Sequence, residues 1–334
     1  MEFRPYYVTK GWVKLGHEVL IVGGSYSHLR KVQPQSCEEM IDDMRYRWVK
    51  VNPYKGNGIG RIISMFSFVT KLYCNYRRYL RNFKPDIVIA SSTYPLDIYP
   101  AYRIARHYHA KLIYEVHDLW PLSPMELGGY SKKHPFIRIM QKAEDDCYRY
   151  ADAVVSMLPK AEEHMREHGL TRDKFHYVPN GIVLSDWNNP KGIPEEHGLL
   201  LSKLRAEGKF IVGFAGAHGI ANSLYAVIDA VSSLTEQNVV LVLVGGGQEK
   251  ENLIKYAHKK GVTNVYFLLP INKLAIPNLL KEMDVLYIGL QKQSLFRFGI
   301  SPNKMFDYMM AAKPIIQAIA VSYTHLTLPT NSLV

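Results

Sequence analysis

The chain has 334 residues, of which 47% are hydrophobic and 21% are charged, and it carries a formal net charge of +11. This composition is that of a globular protein, and the length suits two domains of ordinary size. No apolar stretch reaches membrane-spanning length, and no secretory signal or basic nucleic-acid motif is visible, which argues against those protein classes. The positive charge favours other anionic partners. Cys37, Cys74 and Cys147 lack metal-ligand spacing and indicate free thiols in a reducing, cytoplasmic compartment.

The first part of the chain alternates between helical and strand patterns. Residues 3–15 have the spacing of an amphipathic helix. Short apolar runs follow at residues 18–24, 86–90, 111–116 and 152–156. Because short buried strands that alternate with helices are typical of parallel sheets, we predict a Rossmann-like first domain over residues 1–184.

One helical segment, residues 61–84, combines an apolar stripe with cations in its last turns. The stripe comprises Ile62, Met65, Phe66, Val69, Leu72, Tyr73, Tyr76, Leu80 and Phe83, and the cations are Arg77, Arg78, Arg81 and Lys84. A helix packed on a sheet would have this pattern, and so would a peripheral helix at the inner membrane. We favour packing and keep membrane contact as the second interpretation.

The later part repeats the alternating pattern. Residues 185–208 are polar and interrupted by prolines, which predicts a linker. Apolar runs then recur at residues 210–216, 239–245, 265–269 and 285–288. These runs predict a second, incomplete Rossmann-like domain over residues 209–319. Ligands of such folds bind beyond the carboxyl ends of the strands, so two facing domains predict a cleft between them.

Several motifs follow predicted strands. His117 comes after the run at 111–116, and Asn180-Gly181 forms a turn after a short strand. The loop that contains Gly216, His218, Gly219 and Asn222 joins a strand to a helix, where backbone N–H groups can cradle a phosphate. Taken alone, it fits a plain strand-to-helix turn equally well.

A second glycine loop contains Gly246. Three glycines after a strand would also suit a nicotinamide enzyme, but the acidic ribose partner about twenty residues on is not evident.

The segment over residues 297–316 is the most informative. Ser301 suits a helix cap, and Pro302 suits the first helical position. Lys304 and Asp307 lie three residues apart on that helix and share a face. The amide groups at the helix start, one cation and one carboxylate are suited to a diphosphate and a ribose. Alternatively, Asp307 is a surface charge that pairs with Lys304.

The Ser301-Pro302-Asn303-Lys304 segment resembles the nucleotide-sugar site of family 4 retaining glycosyltransferases, which have the two-domain GT-B architecture. It is most similar to a bacterial surface-polysaccharide branch, and the resemblance covers roughly residues 2–319. It implies that His117 contacts the donor sugar, that Asp307 binds the ribose, and that Asn180 and Gly181 lie near the donor phosphates. It also implies a metal-independent reaction with a nucleoside-diphosphate sugar as substrate and no cofactor.

The chain departs from the family pattern at two points. Most members have an arginine and a lysine in the first glycine loop, where this chain has Ala217, His218 and Asn222. Gly299 stands where the first of two family glutamates would be. We therefore hypothesise that Lys304, helped by Arg297, supplies the cation for the diphosphate. This assignment makes His117 and Lys304 the candidate catalytic residues.

No metal site is expected. Glu144-Asp145-Asp146 consists of consecutive helical residues whose side chains diverge, so we interpret it as a solvated helix face. An Asp-x-Asp motif, which could bridge a metal to a diphosphate, does not occur in the sequence.

Both ends of the sequence depart from the family. Met1 falls where members have a Gly-rich loop, so a first strand is expected to be missing. Residues 321–334 resemble translated sequencing-adapter read-through and are expected to be non-native.

We therefore expect a retaining glycosyltransferase that moves a sugar from a nucleoside diphosphate to a saccharide or lipid-linked acceptor. Two alternatives remain. One is a sugar-nucleotide epimerase that uses Glu115 and Asp118 for proton transfer. The other is an inactive, truncated nucleotide-binding fragment.

Overall fold

A computed structural model describes residues 3–28, 30, 32–56 and 58–319. The chain divides into two compact units between Pro179 and Asn180. The predicted non-native tail, residues 321–334, lies outside the described residues, and so does the start of the chain before residue 3.

The first unit alternates helices and strands, as predicted. Its helices are α1 (Phe3–Lys14), α2 (Ile59–Tyr79), α3 (Ile98–Tyr108), α4 (Leu122–Gly128), α5 (Pro135–Tyr150) and α6 (Glu162–Glu167). Its strands are β1 (Leu20–Gly24), β2 (Glu38–Ile41), β3 (Met44–Val49), β4 (Ile87–Ala90), β5 (Lys111–Val116), β6 (Ala153–Ser156) and β7 (Phe175–Tyr177). The four predicted strands and the first helix are therefore present, and β2 and β3 are additions that the sequence pattern did not reveal.

These strands form two sheets. Strands β4, β5, β6 and β7 make a four-stranded parallel sheet in that order. Strands β1, β3 and β2 make a separate sheet in which β2 runs antiparallel to β3. The parallel strands end together, and this places the loops after β4 and β5 side by side.

Helix α2 lies along the first unit and buries most of its apolar stripe. Leu72 and Tyr76 pack with Leu80 and Ile104 in one core cluster, and Met65 and Val69 belong to another. The preferred interpretation of this segment, a helix packed on the fold, is confirmed. Tyr73 is an exposed member of the stripe, and the guanidinium of Arg103 lies 4.5 Å from its ring centroid.

The second unit is a single parallel sheet with helices. Its helices are α7 (Leu184–Asn188), α8 (Glu195–Ala206), α9 (Leu224–Ser232), α10 (Lys250–Lys259), α11 (Ile276–Lys281) and α12 (Asn303–Met310). Its strands are β8 (Phe210–Ala215), β9 (Val239–Val244), β10 (Val265–Leu268), β11 (Val285–Leu290) and β12 (Ile315–Ile319). The sheet order is β10-β9-β8-β11-β12, with all pairs parallel. The central strands are buried because a hydrophobic cluster covers each face.

The segment predicted as a linker, residues 185–208, differs from an extended connection. It contains most of α7 and all of α8, and Leu201 and Leu204 of α8 lie in the core of the second unit. Its polar residues belong to the outer face of a packed helix, which explains why the composition suggested a linker.

Candidate functional site

Two glycine loops of the second unit lie against each other at the carboxyl ends of β8 and β9. The Gly216 N–H donates to Val244 O at 3.0 Å, and the His218 N–H donates to Gly246 O at 2.8 Å. At Gly245, where φ is +151°, an added Cβ would lie 1.9 Å from Gly216 O. This position therefore requires glycine for loop packing, whatever ligand the loop binds.

Helix α12 begins beside these loops. Its N-cap is Pro302, and no side chain caps it, so the predicted cap at Ser301 and the predicted first helical position of Pro302 are wrong by one residue. The Tyr308 hydroxyl accepts a 3.1 Å hydrogen bond from the Ala215 N–H and so joins the helix to the end of β8.

The Lys304 side chain reaches from α12 to the first glycine loop. Its Nζ donates to Asn222 Oδ1 at 2.6 Å and lies 4.9 Å from the centroid of the Phe214 ring. An added Cβ on Gly216 would lie 3.5 Å from the same Nζ. Burial lowers the pKa of Lys304 to about 8, because the charged form loses solvation. The ammonium is thus held on the loop that the sequence predicts for phosphate binding.

Asn222 connects this cation to the loop. Its Nδ2 donates to Ala217 O at 2.9 Å while its Oδ1 accepts from Lys304. The loop over residues 216–223 contains neither arginine nor lysine, and Asn222 instead positions a lysine from another element.

The side chain of Asp307 contacts Trp187 and not Lys304. The Trp187 Nε1–H lies 3.4 Å from Asp307 Oδ1, and burial raises the pKa of this carboxyl group. Among the ion pairs of the described residues none joins Asp307 to Lys304, so the alternative that Asp307 merely neutralises Lys304 is not what the structure has. The carboxylate retains acceptor capacity for hydroxyl groups.

The Asn180-Gly181 turn meets the Ser301 segment. Asn180 Nδ2 donates to Ser301 O at 2.9 Å, and the Asn180 N–H lies 3.3 Å from Ser301 Oγ. These contacts hold the segment that precedes α12 against a turn that lies 121 residues earlier in the chain. Gly181 is exposed, as is Asn303 in the first turn of α12.

Two predicted residues are placed differently. His218 is completely buried, with its ring 6.1 Å from that of Phe214 and 6.3 Å from that of Phe267. Its backbone N–H and C=O are both used between the loops, and burial lowers its pKa to about 4. Arg297 is exposed, donates to Ser294 O at 2.7 Å and stacks on Phe298. The geometry thus gives His218 a packing role and directs the Arg297 guanidinium to its own turn.

The other predicted glycines differ in their surroundings. An added Cβ on Gly219 would meet nothing within 4 Å, so the loop is open there. At Gly246 it would lie 3.3 Å from the Pro270 ring, which closes the other side of the second loop.

In the first unit, His117 belongs to a polar cluster at the end of β5. Its Nε2 lies 3.1 Å from Glu115 Oε2 and 2.9 Å from Ser91 Oγ. Ser91 Oγ donates to Glu115 Oε2 at 2.5 Å, and Arg4 Nε donates to Glu115 Oε1 at 2.9 Å. His117 and these three partners are all partly buried.

This cluster determines the protonation of its carboxyl group. Although burial opposes ionisation, His117, Ser91 and Arg4 together lower the pKa of Glu115 to about 2. Such a carboxylate is a poor proton acceptor near neutral pH. Asp118, the other carboxylate considered for proton transfer, accepts from Ser123 Oγ at 2.6 Å. The arrangement is also unlike a serine-hydrolase triad, because serine and glutamate contact the same ring nitrogen.

Sequence reasoning missed Arg4 and Trp187. Arg4 donates to Val178 O and Pro179 O at 2.9 and 3.0 Å as well as to Glu115. A cation in the first turn of α1 is a weak sequence signal, and nothing along the chain connects Trp187 with Asp307.

The predicted solvated helix face at 144–146 is wrong for two of its three residues. Glu144 is 1% and Asp146 2% exposed, and tyrosine hydroxyls compensate for the lost hydration of both carboxylates. The Tyr148 hydroxyl donates to Glu144 at 2.9 Å, and the Tyr99 hydroxyl donates to Asp146 at 3.0 Å.

Among the described residues, none of the helices combines the length and the apolar composition that crossing a bilayer requires.

Comparison with known proteins gives the family. Residues 2–181 match the model of the glycosyl transferase 4-like domain, and residues 201–317 match that of glycosyl transferases group 1. A curated relative is TuaH of Bacillus subtilis strain 168, which is named as a teichuronic acid biosynthesis glycosyltransferase. It is 24% identical over 215 residues, which are 62% of this chain and 50% of that protein. This chain therefore spans about half the length of that relative.

Solved structures agree in fold. HepE from Anabaena, crystallised with UDP, has a TM-score of 0.59 at 17% identity, with 84% of this chain and 69% of that chain covered. WaaG, a glycosyltransferase involved in lipopolysaccharide biosynthesis, has a TM-score of 0.60 at 16% identity, with 94% and 76% covered. Sucrose-phosphate synthase from Thermosynechococcus elongatus has a TM-score of 0.66 at 13% identity, with 93% and 74% covered.

These likenesses confirm the predicted α/β fold class with parallel, Rossmann-like sheets of the GT-B type. With more than half of its length matched by the first family model, the chain belongs to the glycosyl transferase 4-like family.

Proposed function

We propose that this chain is the core of a retaining glycosyltransferase that transfers a sugar from a nucleoside-diphosphate donor to a saccharide or lipid-linked acceptor in surface polysaccharide synthesis. The observation that carries this proposal is the Lys304 ammonium, desolvated at the first glycine loop and directed there by Asn222. Family membership and the UDP-bound state of HepE add support.

The leaving group explains why this arrangement suits the reaction. As the glycosidic bond breaks, negative charge grows on the departing diphosphate. A cation with little water around it stabilises that charge more strongly than a solvated cation would. The first amide groups of α12 lie beside Lys304 on the same helix and add N–H dipoles of the same sign. A diphosphate is therefore the ligand that this end of the second unit fits best.

The remaining site residues have narrower roles in the proposal. Asp307 accepts hydroxyl groups of the nucleotide ribose, with Trp187 fixing its orientation. Asn180 holds the Ser301 turn that precedes α12. His117 contacts the transferred sugar, and Glu115 and Ser91 hold its ring in place. The anomeric configuration of the sugar is retained if the acceptor attacks on the face that the leaving group occupies, without a protein nucleophile.

The epimerase alternative is less well supported. It requires carboxylates that exchange protons near neutral pH, but the pKa of Glu115 is lowered to about 2. The structure gives no comparable reason to prefer proton transfer over group transfer.

We also propose a cytoplasmic enzyme. The free thiols Cys37, Cys74 and Cys147 suit a reducing compartment. The exposed Arg77 and Arg78 of α2 suit peripheral contact with an anionic membrane that carries a lipid-linked acceptor.

The test is a binding titration with UDP, GDP and ADP by calorimetry, with Lys304→Met as the variant. Losing a charge-assisted contact of about 1.5–3 kcal/mol should weaken binding of the preferred diphosphate roughly ten- to hundredfold. Lys259→Met is the matched control, since Lys259 is exposed on α10 of the same unit. Equal affinities of the two variants, or no diphosphate binding by the wild-type chain, would overturn the proposal.

Turnover then separates group transfer from epimerisation. With labelled donor and no acceptor, an epimerase changes the configuration of the nucleotide-bound sugar, whereas the proposed transferase does not. Adding a membrane extract as acceptor source should move the label from the nucleotide to saccharide or lipid.

A further inference from the structure

We propose a zinc site in the first unit, formed by Glu144 of α5, His164 of α6 and His168, the residue that follows α6, with Asp145 as an additional carboxylate. It involves none of the residues assigned to sugar transfer above.

The geometry brings nitrogen and oxygen ligands together. Ligand atoms of Glu144, His164 and His168 all lie within 4.8 Å of one another. His164 Nε2 is 3.3 Å from Glu144 Oε1, and His168 Nδ1 is 3.0 Å from Asp145 Oδ1. In a tetrahedral zinc site with bonds near 2.0–2.1 Å, neighbouring ligand atoms are about 3.3 Å apart. The pairs are therefore already close to the separation that a shared ion would set.

The chain places the two histidines in a favourable way. They are four residues apart, His164 within α6 and His168 at its C-cap, and their rings lie 4.7 Å apart. The turn at the end of α6 then exposes His168 partly, with 28% of its side chain accessible. Helix α5 supplies the carboxylates from the other side.

A Gln141 amide lies among Glu144, Asp145 and His168, three of the four proposed ligands. Its Nε2 is 2.8 Å from Glu144 Oε2, 2.9 Å from Asp145 Oδ1 and 2.8 Å from His168 Nδ1. An amide nitrogen carries two protons, so at most two of these three acceptors receive a linear hydrogen bond. A cation at this point would satisfy all three, with Gln141 turned aside.

The charge of Glu144 supports a cation. The side chain is 1% exposed; two of its bonded neighbours, Tyr148 and Gln141, are uncharged donors, and the third is the proposed ligand His164. The nearby Lys142 and Arg149 form their ion pairs with Asp146 instead. A buried carboxylate is costly without a counter-charge, which a divalent ion supplies.

The ligand set selects the metal class. Two imidazoles with one or two carboxylates suit Zn²⁺, whereas Mg²⁺ and Ca²⁺ prefer all-oxygen sites. A surface cavity of about 390 Å³, lined by Asp145, Tyr148, Arg149 and His168 among others, gives the ion a route from solvent. The bound ion would join α5 to α6 and stabilise the first unit.

The test uses the untagged full chain, stripped of metal with EDTA and titrated with ZnCl₂. We expect one tight Zn²⁺ site per chain, and Co²⁺ at the same site should give the visible absorption of a tetrahedral centre. His168→Gln should weaken Zn²⁺ binding by more than roughly tenfold and abolish the Co²⁺ spectrum. His258→Gln, an exposed histidine of α10, should behave as wild type.

A second variant protects the test from loss of folding. Asp145→Asn changes a half-exposed side chain and should weaken Zn²⁺ binding while preserving the circular dichroism spectrum. Zn²⁺ should also raise the melting temperature of the wild type but not of His168→Gln. Equal Zn²⁺ affinity and stoichiometry in wild type and His168→Gln would overturn the proposal.

Discussion

The lowered pKa of Lys304 predicts that nucleoside-diphosphate binding takes up a proton in mildly alkaline solution. Desolvation brings this pKa from 10.5 to about 8. At pH 8.5 a group with that pKa is roughly one-quarter protonated. A diphosphate next to the amine favours the charged form and returns the pKa toward its ordinary value. Binding should therefore take up about 0.7 protons at pH 8.5 but only about 0.1 at pH 7.

Calorimetry measures this uptake directly. The binding enthalpy of UDP, or of whichever diphosphate binds, is compared between buffers of different ionisation enthalpy at each pH. Terminal phosphates titrate near pH 6, so at pH 8.5 the ligand contributes little. The uptake should disappear in Lys304→Met and persist in Lys259→Met. Uptake of the same size in Lys304→Met would refute the assignment of the proton to Lys304.

Three further predictions concern the stability of the two units. Gly245→Ala would place a Cβ 1.9 Å from Gly216 O at a φ of +151°, so it should lower the free energy of unfolding by at least about 3 kcal/mol in urea titrations. The control is Gly261→Ala, which should cost only about 1 kcal/mol because Gly261 has a φ of +67° but open space around it. Tyr308→Phe leaves the Ala215 N–H without its partner and should cost about 1–3 kcal/mol, and an unchanged urea midpoint would contradict this. The pKa of Glu115 is lowered from 4.5 to about 2, so its contribution, about 3 kcal/mol, is present above pH 4.5 and is lost as the pH falls toward 2. Glu115→Gln should flatten that acid dependence, and a variant with the wild-type profile would show that other carboxylates cause it.

The strand pattern of the second unit was predictable because its central strands are apolar throughout. β8, β9 and β11 are short hydrophobic runs, and their positions differ from the predicted ones by at most two residues at either end. Their burial on both faces makes composition alone sufficient.

Strand β3 was not predicted because it contains charged residues although most of its residues are buried. It contains Arg47, which is only 6% exposed. The Arg47 guanidinium donates to Tyr79 O and Arg81 O at 2.7 and 2.8 Å. A buried arginine whose partners lie more than 30 residues away cannot be recognised from local pattern. The polar residues of α8 misled in the opposite direction, since they cover the outer face of a core helix.

The candidate site was partly predictable. Lys304 and Asn222 lie 82 residues apart; both are candidates from the sequence alone, and the fold brings their side chains into contact. His218 belongs to the same loop as Asn222, but its ring is buried beside those of Phe214 and Phe267, which the sequence does not reveal. Arg4 and Ser91 reach Glu115 only through the tertiary fold.

The most direct measurement is a crystal structure of the chain with the nucleoside diphosphate that it binds most tightly. A terminal phosphate oxygen should lie within about 2.7–3.1 Å of Lys304 Nζ, with other oxygens facing the first amide groups of α12. A well-ordered diphosphate bound elsewhere, with Lys304 still donating to Asn222 and touching no phosphate, would contradict the account.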